Sequence, residues 1–151
     1  MSHFTIMMTF AALISPLTRG AYFNDYLSVA KAEISAHLGL SDVSIKQVGN
    51  LEFLIFQAES LALERIARLS CIYGLFQIDG ELMKPLAVDP GFRLHDDFVF
   101  GSKFKGKTNE VLTQMLINTG LAFVEEKDHQ KIKLLDPMCG RATTLLWAMR
   151  Y

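Results

Sequence analysis

The stretch LLDPMCGRATTL, residues 134–145, predicts the end of a strand, a tight turn and the start of a helix. The apolar run 132–135 predicts a buried strand that delivers Asp136 at its carboxyl end. Pro137 and Gly140 form the turn, and residues 143–149 predict a helix. A strand with an acidic tip, a glycine turn and a helix N-terminus together form a ligand crevice in α/β sheets. The sequence therefore predicts that residues 132–149 form the first strand, turn and helix of an α/β unit.

The composition limits the class of protein. A chain of 151 residues can form one ordinary domain, or one small domain with a piece of another. Because 50% of the residues are hydrophobic and 21% are charged, a packed core is expected and global disorder is excluded. The net charge of -1 means that nucleic acid could be bound only by a local basic patch.

Cysteine usage and the N-terminal run indicate the compartment. Cys71 and Cys139 lack CxxC or His-rich spacing, which argues against a disulfide scaffold or a zinc site and for a reducing compartment. The apolar run 4–14 is too short to span a bilayer, and no Lys or Arg precedes it. We therefore expect a cytoplasmic protein without a membrane partner, and we interpret this run as a buried strand.

The pattern of residues 4–83 predicts an α+β sandwich. The expected order is a central strand at 4–13, a loop at 15–20, a helix at 26–38, a hairpin of 43–48 and 51–58, a helix at 61–73 capped by Ser60, and a hairpin of 75–78 and 81–83. Strand, helix, strand, strand, helix, strand is the split βαβ pattern, with the helices on one face of a sheet.

Proline, glycine and aspartate break this regularity after residue 85, which predicts a linker at residues 89–104. A helix over 109–123 follows, with Thr108 as the expected N-cap. The buried stripe expected on this helix consists of Leu112, Met115, Leu116 and Thr119.

Two segments carry candidate chemistry. The turn suits a ligand that offers a cationic or donor-rich end to Asp136 and that approaches the backbone at Gly140. S-adenosylmethionine (SAM) fits this better than a pyrophosphate, while the alternative is a plain glycine turn after a buried strand. Lys103, Lys105 and Lys107, with Phe104 between them, predict either a small phosphate-and-stacking site for RNA or a solvated loop. The four histidines show no metal spacing.

Residues 136–145 resemble the DPxCGxGTxL first motif of SAM-dependent methyltransferases. The resemblance is narrower to the putative RNA methylases that include THUMP-associated tRNA guanine-N2 methyltransferases. Residues 105–110, KGKTNE, with Thr113, Gln114 and Asn118, resemble the segment that precedes this motif in the same branch. The resemblance implies that residues 105–151 form the first helix–strand–helix segment of a Rossmann-like domain. Residues 1–88 would then be a substrate or RNA-recognition domain.

The resemblance also implies a set of SAM-binding residues. They are Asp136, Pro137, Cys139, Gly140, Ala142, Thr108 and Asn109. Ala142 stands where the family has its second glycine. If that position requires a positive φ, the added Cβ costs roughly 1–2 kcal/mol.

The expected activity is methyl transfer from SAM to an RNA base, in tRNA or rRNA. The family's acidic residue for the ribose and its Asn/Asp-Pro-Pro-aromatic catalytic motif would lie beyond Tyr151. We therefore expect no catalysis from these 151 residues and assign no catalytic residue. The alternatives are a non-catalytic RNA-binding or assembly module and, less favoured, a small-molecule methyltransferase. The apolar C-terminal segment, which includes Leu134, Leu135 and Trp147, is expected to pack on the first domain, to pair with another chain or to be poorly ordered.

Overall fold

Five strands form one antiparallel sheet in the part of the chain that the computed structural model describes, residues 7–59, 63–101, 105–126 and 128–151. The strands are β1 (Met7–Ile14), β2 (Val43–Val48), β3 (Leu51–Glu59), β4 (Ile72–Asp79) and β5 (Leu82–Leu86). Their order across the sheet is β2-β3-β1-β4-β5.

This order is the split βαβ arrangement that the sequence predicts. Strand β3 lies between β1 and β2, and strand β1 lies between β3 and β4, with every pairing antiparallel. The central position of the first strand and both hairpins are confirmed. The hairpin turns contain Gly49 at φ 60° and Gly80 at φ 59°, and only glycine adopts this conformation without strain.

The described residues also form six α-helices. They are α1 (Leu17–Tyr22), α2 (Tyr26–Leu38), α3 (Leu63–Ala67), α4 (Asp96–Phe100), α5 (Glu110–Phe123) and α6 (Thr143–Arg150), with short 3-10 turns at Phe23–Asp25 and His129–Lys131. Both bounds predicted for α2 are confirmed, and Gly39 ends this helix at φ 67°.

Two predictions in the N-terminal half are wrong. The expected loop at 15–20 contains helix α1. The second helix ends at Ala67 rather than at residue 73, because Ile72 and Tyr73 belong to β4, in which Ile72 pairs with Ile14 of β1. Tyr73 is 72% exposed. Ser60, the expected N-cap of this second helix, lies outside the described residues.

The main hydrophobic core lies between the sheet and helices α2 and α3. Alternate residues of the central strands, among them Phe10, Leu54 and Leu75, pack against Ile34 of α2 and Ile66 of α3. A strand presents alternate side chains to opposite faces, so this period of two selects the covered face of the sheet.

Helix α5 begins and faces differently from the prediction. Its N-cap is Asn109, not Thr108, because the Asn109 side chain accepts hydrogen bonds from the backbone of Val111 at 3.0 Å and Leu112 at 3.1 Å. Leu116 of the expected stripe is 57% exposed. The residues buried instead are Val111, Thr113, Gln114, Ile117 and Asn118.

The expected linker contains an ordered element. Helix α4 buries Val99 against Ile117 of α5 and Trp147 of α6. Trp147 is therefore buried by these neighbours. The division of the chain at residues 88 and 104 remains a prediction.

The strand predicted at residues 132–135 is not observed. These residues have no regular secondary structure and pair with no strand of the described sheet, and Leu135 is 87% exposed. A strand forms only where a neighbour takes up its backbone hydrogen bonds, and apolar residues alone do not supply that neighbour. The helices on either side, α5 and α6, do form and pack against each other.

A buried carboxylate explains the polar face of α5. Glu33 of α2 is 5% exposed and accepts three hydrogen bonds: from the backbone N–H of Ser70 at 3.0 Å, from the Ser70 hydroxyl at 2.7 Å and from the Asn118 amide at 2.8 Å. The Asn118 amide also donates to the Arg68 carbonyl at 3.0 Å, as does Gln114 at 2.7 Å. Buried polar groups need such partners, so α5 turns its amides inward.

We expect Glu33→Ala to destabilise the protein by about 3 kcal/mol, because it leaves three buried donors without an acceptor. Chemical denaturation would measure this loss. Lys31→Ala, at an exposed position on the same helix, is the control and should change stability by less than about 0.5 kcal/mol. Equal stability of the two variants would contradict a structural role for the carboxylate.

Candidate functional site

The turn at residues 136–142 forms in the structure. The Asp136 carboxylate accepts the backbone N–H of Met138 at 3.1 Å, which closes a local turn. Gly140 has φ 47° and Ala142 has φ 60°, so two residues adopt the left-handed conformation. Ala142 therefore has a positive φ, which is disfavoured for an L-residue with a Cβ, so its backbone is strained.

The turn leads directly into helix α6. The Ala142 N–H donates to the Cys139 carbonyl at 2.6 Å, and the Ala142 carbonyl accepts the N–H of Leu146 at 2.8 Å. Ala142 is thus the N-cap of α6, and its methyl side chain cannot accept a hydrogen bond from the first turn. Pro137, Cys139 and Gly140 lie on the protein surface.

An apolar groove of about 350 Å³ lies beside this turn. It is lined by Leu116 and Leu121 of α5, by Leu134 and Leu135 and by Thr144 of α6. The acidic turn and the groove are therefore two parts of one surface region, which α5 and α6 position.

The upstream segment has mainly structural contacts in the described residues. Asn109 caps α5, and Thr108 precedes that cap. The Lys107 ammonium group lies 2.8 Å from the Glu110 carboxylate, and the Lys107 side chain is only 8% exposed. Lys105 is exposed, and Lys103 lies outside the described residues. Lys107 is thus largely buried beside Glu110, and contact of the three lysines with RNA remains a prediction.

A second and larger cleft, of about 730 Å³, lies between α2, α3 and α5. The side chains that give it its chemical character are His37, Glu64, Arg65, Arg68, His129 and Tyr151. We call this cavity the basic cleft. The Tyr151 ring lies 5.7 Å from the Arg68 guanidinium and 5.9 Å from the His129 ring.

The environment of the basic cleft disfavours the protonated, positively charged form of His37 and of His129. Burial, together with the charges of Arg65, His129 and Arg68, lowers the pKa of His37 to about 4. Burial and Arg68 also lower the pKa of His129. Among the described residues, His37 Nδ1 is a buried polar atom without a hydrogen-bond partner.

Sequence reasoning missed this cleft. The histidines are scattered along the chain, and Arg65 and Arg68 resemble an ordinary polar helix face. Residues 37, 65 and 129 come together only because α2, α3 and the turn after α5 pack around the C-terminal tyrosine. No local spacing signals this arrangement.

No protein-family model, curated protein or solved structure matches this chain significantly. Among the described residues, no group of three His, Cys, Asp or Glu side chains is placed to hold a metal ion. None of the helices formed by these residues is long and apolar enough to cross a membrane.

We expect His37 to make stability depend on pH. Its pKa in the folded state, about 4, lies below the ordinary value of 6.5, so the unfolded chain binds the proton first as the pH falls. The stabilisation is complete above about pH 6.5 and is lost toward pH 4, by about 2–3 kcal/mol.

The free energy of unfolding at about pH 7 and about pH 4.5, measured for the wild type and for His37→Asn, tests this expectation. The wild type should lose more stability than the variant, because Asn does not titrate. Identical losses would show that other groups cause the acid sensitivity.

Proposed function

We propose that this chain carries the SAM-binding turn of a methyltransferase that acts on RNA. One observation carries the proposal: an aspartate heads a turn with two left-handed residues, Gly140 and Ala142, that opens directly into helix α6. The turn and the start of the helix agree with the resemblance to the first methyltransferase motif, although the strand expected before them does not form. RNA as the substrate class, in tRNA or rRNA, rests on the same resemblance.

The groups at the turn suit the amino-acid end of SAM. A carboxylate has two oxygens, so Asp136 can hold the Met138 N–H with one and accept from the ligand's ammonium group with the other. The N-terminus of α6 carries partial positive charge that favours the ligand's carboxylate. At Gly140 a Cβ would meet only the Met138 carbonyl oxygen, at 3.9 Å, so a ligand can approach this backbone closely.

The exposure of the turn sets the expected affinity. Ligand sites usually cover most of the ligand surface, whereas these residues cover SAM from one side. We therefore expect binding in the millimolar range, about -4 kcal/mol.

NMR titration of the isotope-labelled chain with SAM detects binding of this strength. The amide signals near Gly140 should shift, and Asp136→Ala should abolish the shifts. Glu81→Ala, in the exposed turn between β4 and β5, removes the same charge elsewhere and should leave them unchanged. Shifts that are absent, or that persist in Asp136→Ala, would refute the proposed site.

We expect Ala142→Gly to stabilise the chain by roughly 0.5–1 kcal/mol, because relief of the left-handed strain exceeds the entropy that glycine adds to the unfolded state. It should also strengthen SAM binding, by up to about tenfold. Gly140→Ala is the matched reverse change and should destabilise by about 1 kcal/mol. Denaturation and SAM titration of both variants check the pair; equal stabilities would contradict strain at Ala142.

RNA binding without catalysis is the second candidate function, and the free face of the sheet favours it. Phe53 and Phe76 lie on the face turned away from α2 and α3 and meet edge to face at 5.9 Å. Phe53 is only 4% exposed, so the partly exposed Phe76 is the ring of this pair that a base can reach. Aromatic residues on such sheets can stack bases. Under this alternative, RNA binding would persist in Asp136→Ala and no SAM shifts would occur.

A further inference from the structure

The basic cleft combines a cavity of ligand size with two guanidinium groups. Its volume of about 730 Å³ falls in the range of small-molecule sites. Arg65 and Arg68 both line it, and Glu64 is the only carboxylate side chain among its described lining residues. Glu64 is already paired with Arg68 at 2.5 Å, so the charge of Arg65 is not neutralised by a lining residue.

The two arginines differ in what they can offer a ligand. Arg68 binds the loop after β5, with its Nε donating to the Pro90 carbonyl at 2.5 Å. Arg65 is exposed and donates to the His37 carbonyl at the end of α2. A guanidinium carries five N–H groups, so Arg65 retains donors beyond this one described bond. Arg65 is therefore the cation most available to a ligand.

The other walls favour an anion that carries a ring. His37 lines the cleft, and its Nδ1 is a buried atom without a hydrogen-bond partner among the described residues, so the ring adds no positive charge that would compete with the arginines. Tyr151 and His129 form an aromatic wall next to Arg68. Guanidinium groups match the oxygens of phosphate, and aromatic rings stack on bases.

We propose that the basic cleft binds the phosphate group of a nucleotide, with Arg65 as its main charge partner. The phosphate belongs either to the backbone of RNA or to a free mononucleotide. The site goes beyond the SAM-binding turn and does not depend on it, because SAM carries no phosphate. Leu121 lines both the basic cleft and the apolar groove beside the turn, so the two sites are neighbours.

Fluorescence anisotropy with a labelled single-stranded RNA, and calorimetry with adenosine monophosphate, test the proposal on the intact chain. Arg65→Gln should weaken binding of the phosphate ligand about tenfold, equivalent to about 1.4 kcal/mol. Lys31→Gln removes one positive charge from the exposed face of α2 and should change affinity less than twofold.

Ala122→Glu provides a test that leaves the contact between Arg65 and α2 in place. Ala122 lines the cleft, and a carboxylate there should repel phosphate and weaken binding about tenfold. If Arg65→Gln fails to fold, the affinity of Ala122→Glu for the phosphate ligand tests the proposal instead. Asp136→Ala should bind phosphate like the wild type, which separates a failure of the SAM site from a failure of the cleft.

The two ligands distinguish the source of the phosphate. Competition between mononucleotide and RNA would place the RNA backbone in the cleft, and mononucleotide binding without RNA binding would indicate a nucleotide pocket. Either result supports the proposal if Arg65→Gln weakens the binding of the phosphate ligand. Equal losses in Arg65→Gln and Lys31→Gln, or no binding of either ligand at about 1 mM in near-physiological salt, would overturn it.

Discussion

The carboxylate of Glu33 is buried in the protein, and several elements are arranged to satisfy it. A buried carboxylate is strongly destabilising unless hydrogen-bond donors surround it. Glu33 obtains these donors from Ser70, at the entrance to β4, and from Asn118 of α5. The network extends further, because the Tyr22 hydroxyl contacts the Ser70 hydroxyl at 2.6 Å and the Tyr151 hydroxyl donates to Asn118. Residues from 22 to 151 are thereby held by one polar centre.

This network also positions both candidate sites through α5. The C-terminal half of α5 supplies Leu121 to the apolar groove and to the basic cleft, and it supplies Ala122 to the cleft. Tyr151, whose hydroxyl is bound to Asn118, forms the aromatic wall of the cleft; burial raises the pKa of this hydroxyl, so it remains a neutral donor. A methyl donor at the turn and a phosphate in the cleft would therefore lie on two sides of the same helix.

The hydrophobic pattern predicts a strand correctly where one face of that strand packs against helices. The strands predicted at 4–13, 43–48 and 51–58 correspond to β1, β2 and β3, and alternate residues of β1 and β3 pack against the core under α2 and α3. The same reasoning misjudged part of α5: Leu112 and Met115 are partly buried, but Leu116 is exposed, because Gln114 and Asn118 turn inward to a polar network. The run 132–135 is apolar enough for a strand, yet no described strand lies next to it, and a single strand has no stable form alone.

The two candidate sites also differ in how far the local sequence predicts them. The turn at residues 136–142 could be predicted from local sequence, because proline, glycine and an acidic residue within a few positions specify backbone conformation directly. The conformation of Ala142 and the position of the basic cleft could not. Ala142 is left-handed because the turn must join α6, and the cleft gathers residues 37, 65, 129 and 151 that are far apart in the chain. Long-range packing, which no short stretch encodes, decides which polar side chains share one solvent-exposed cavity.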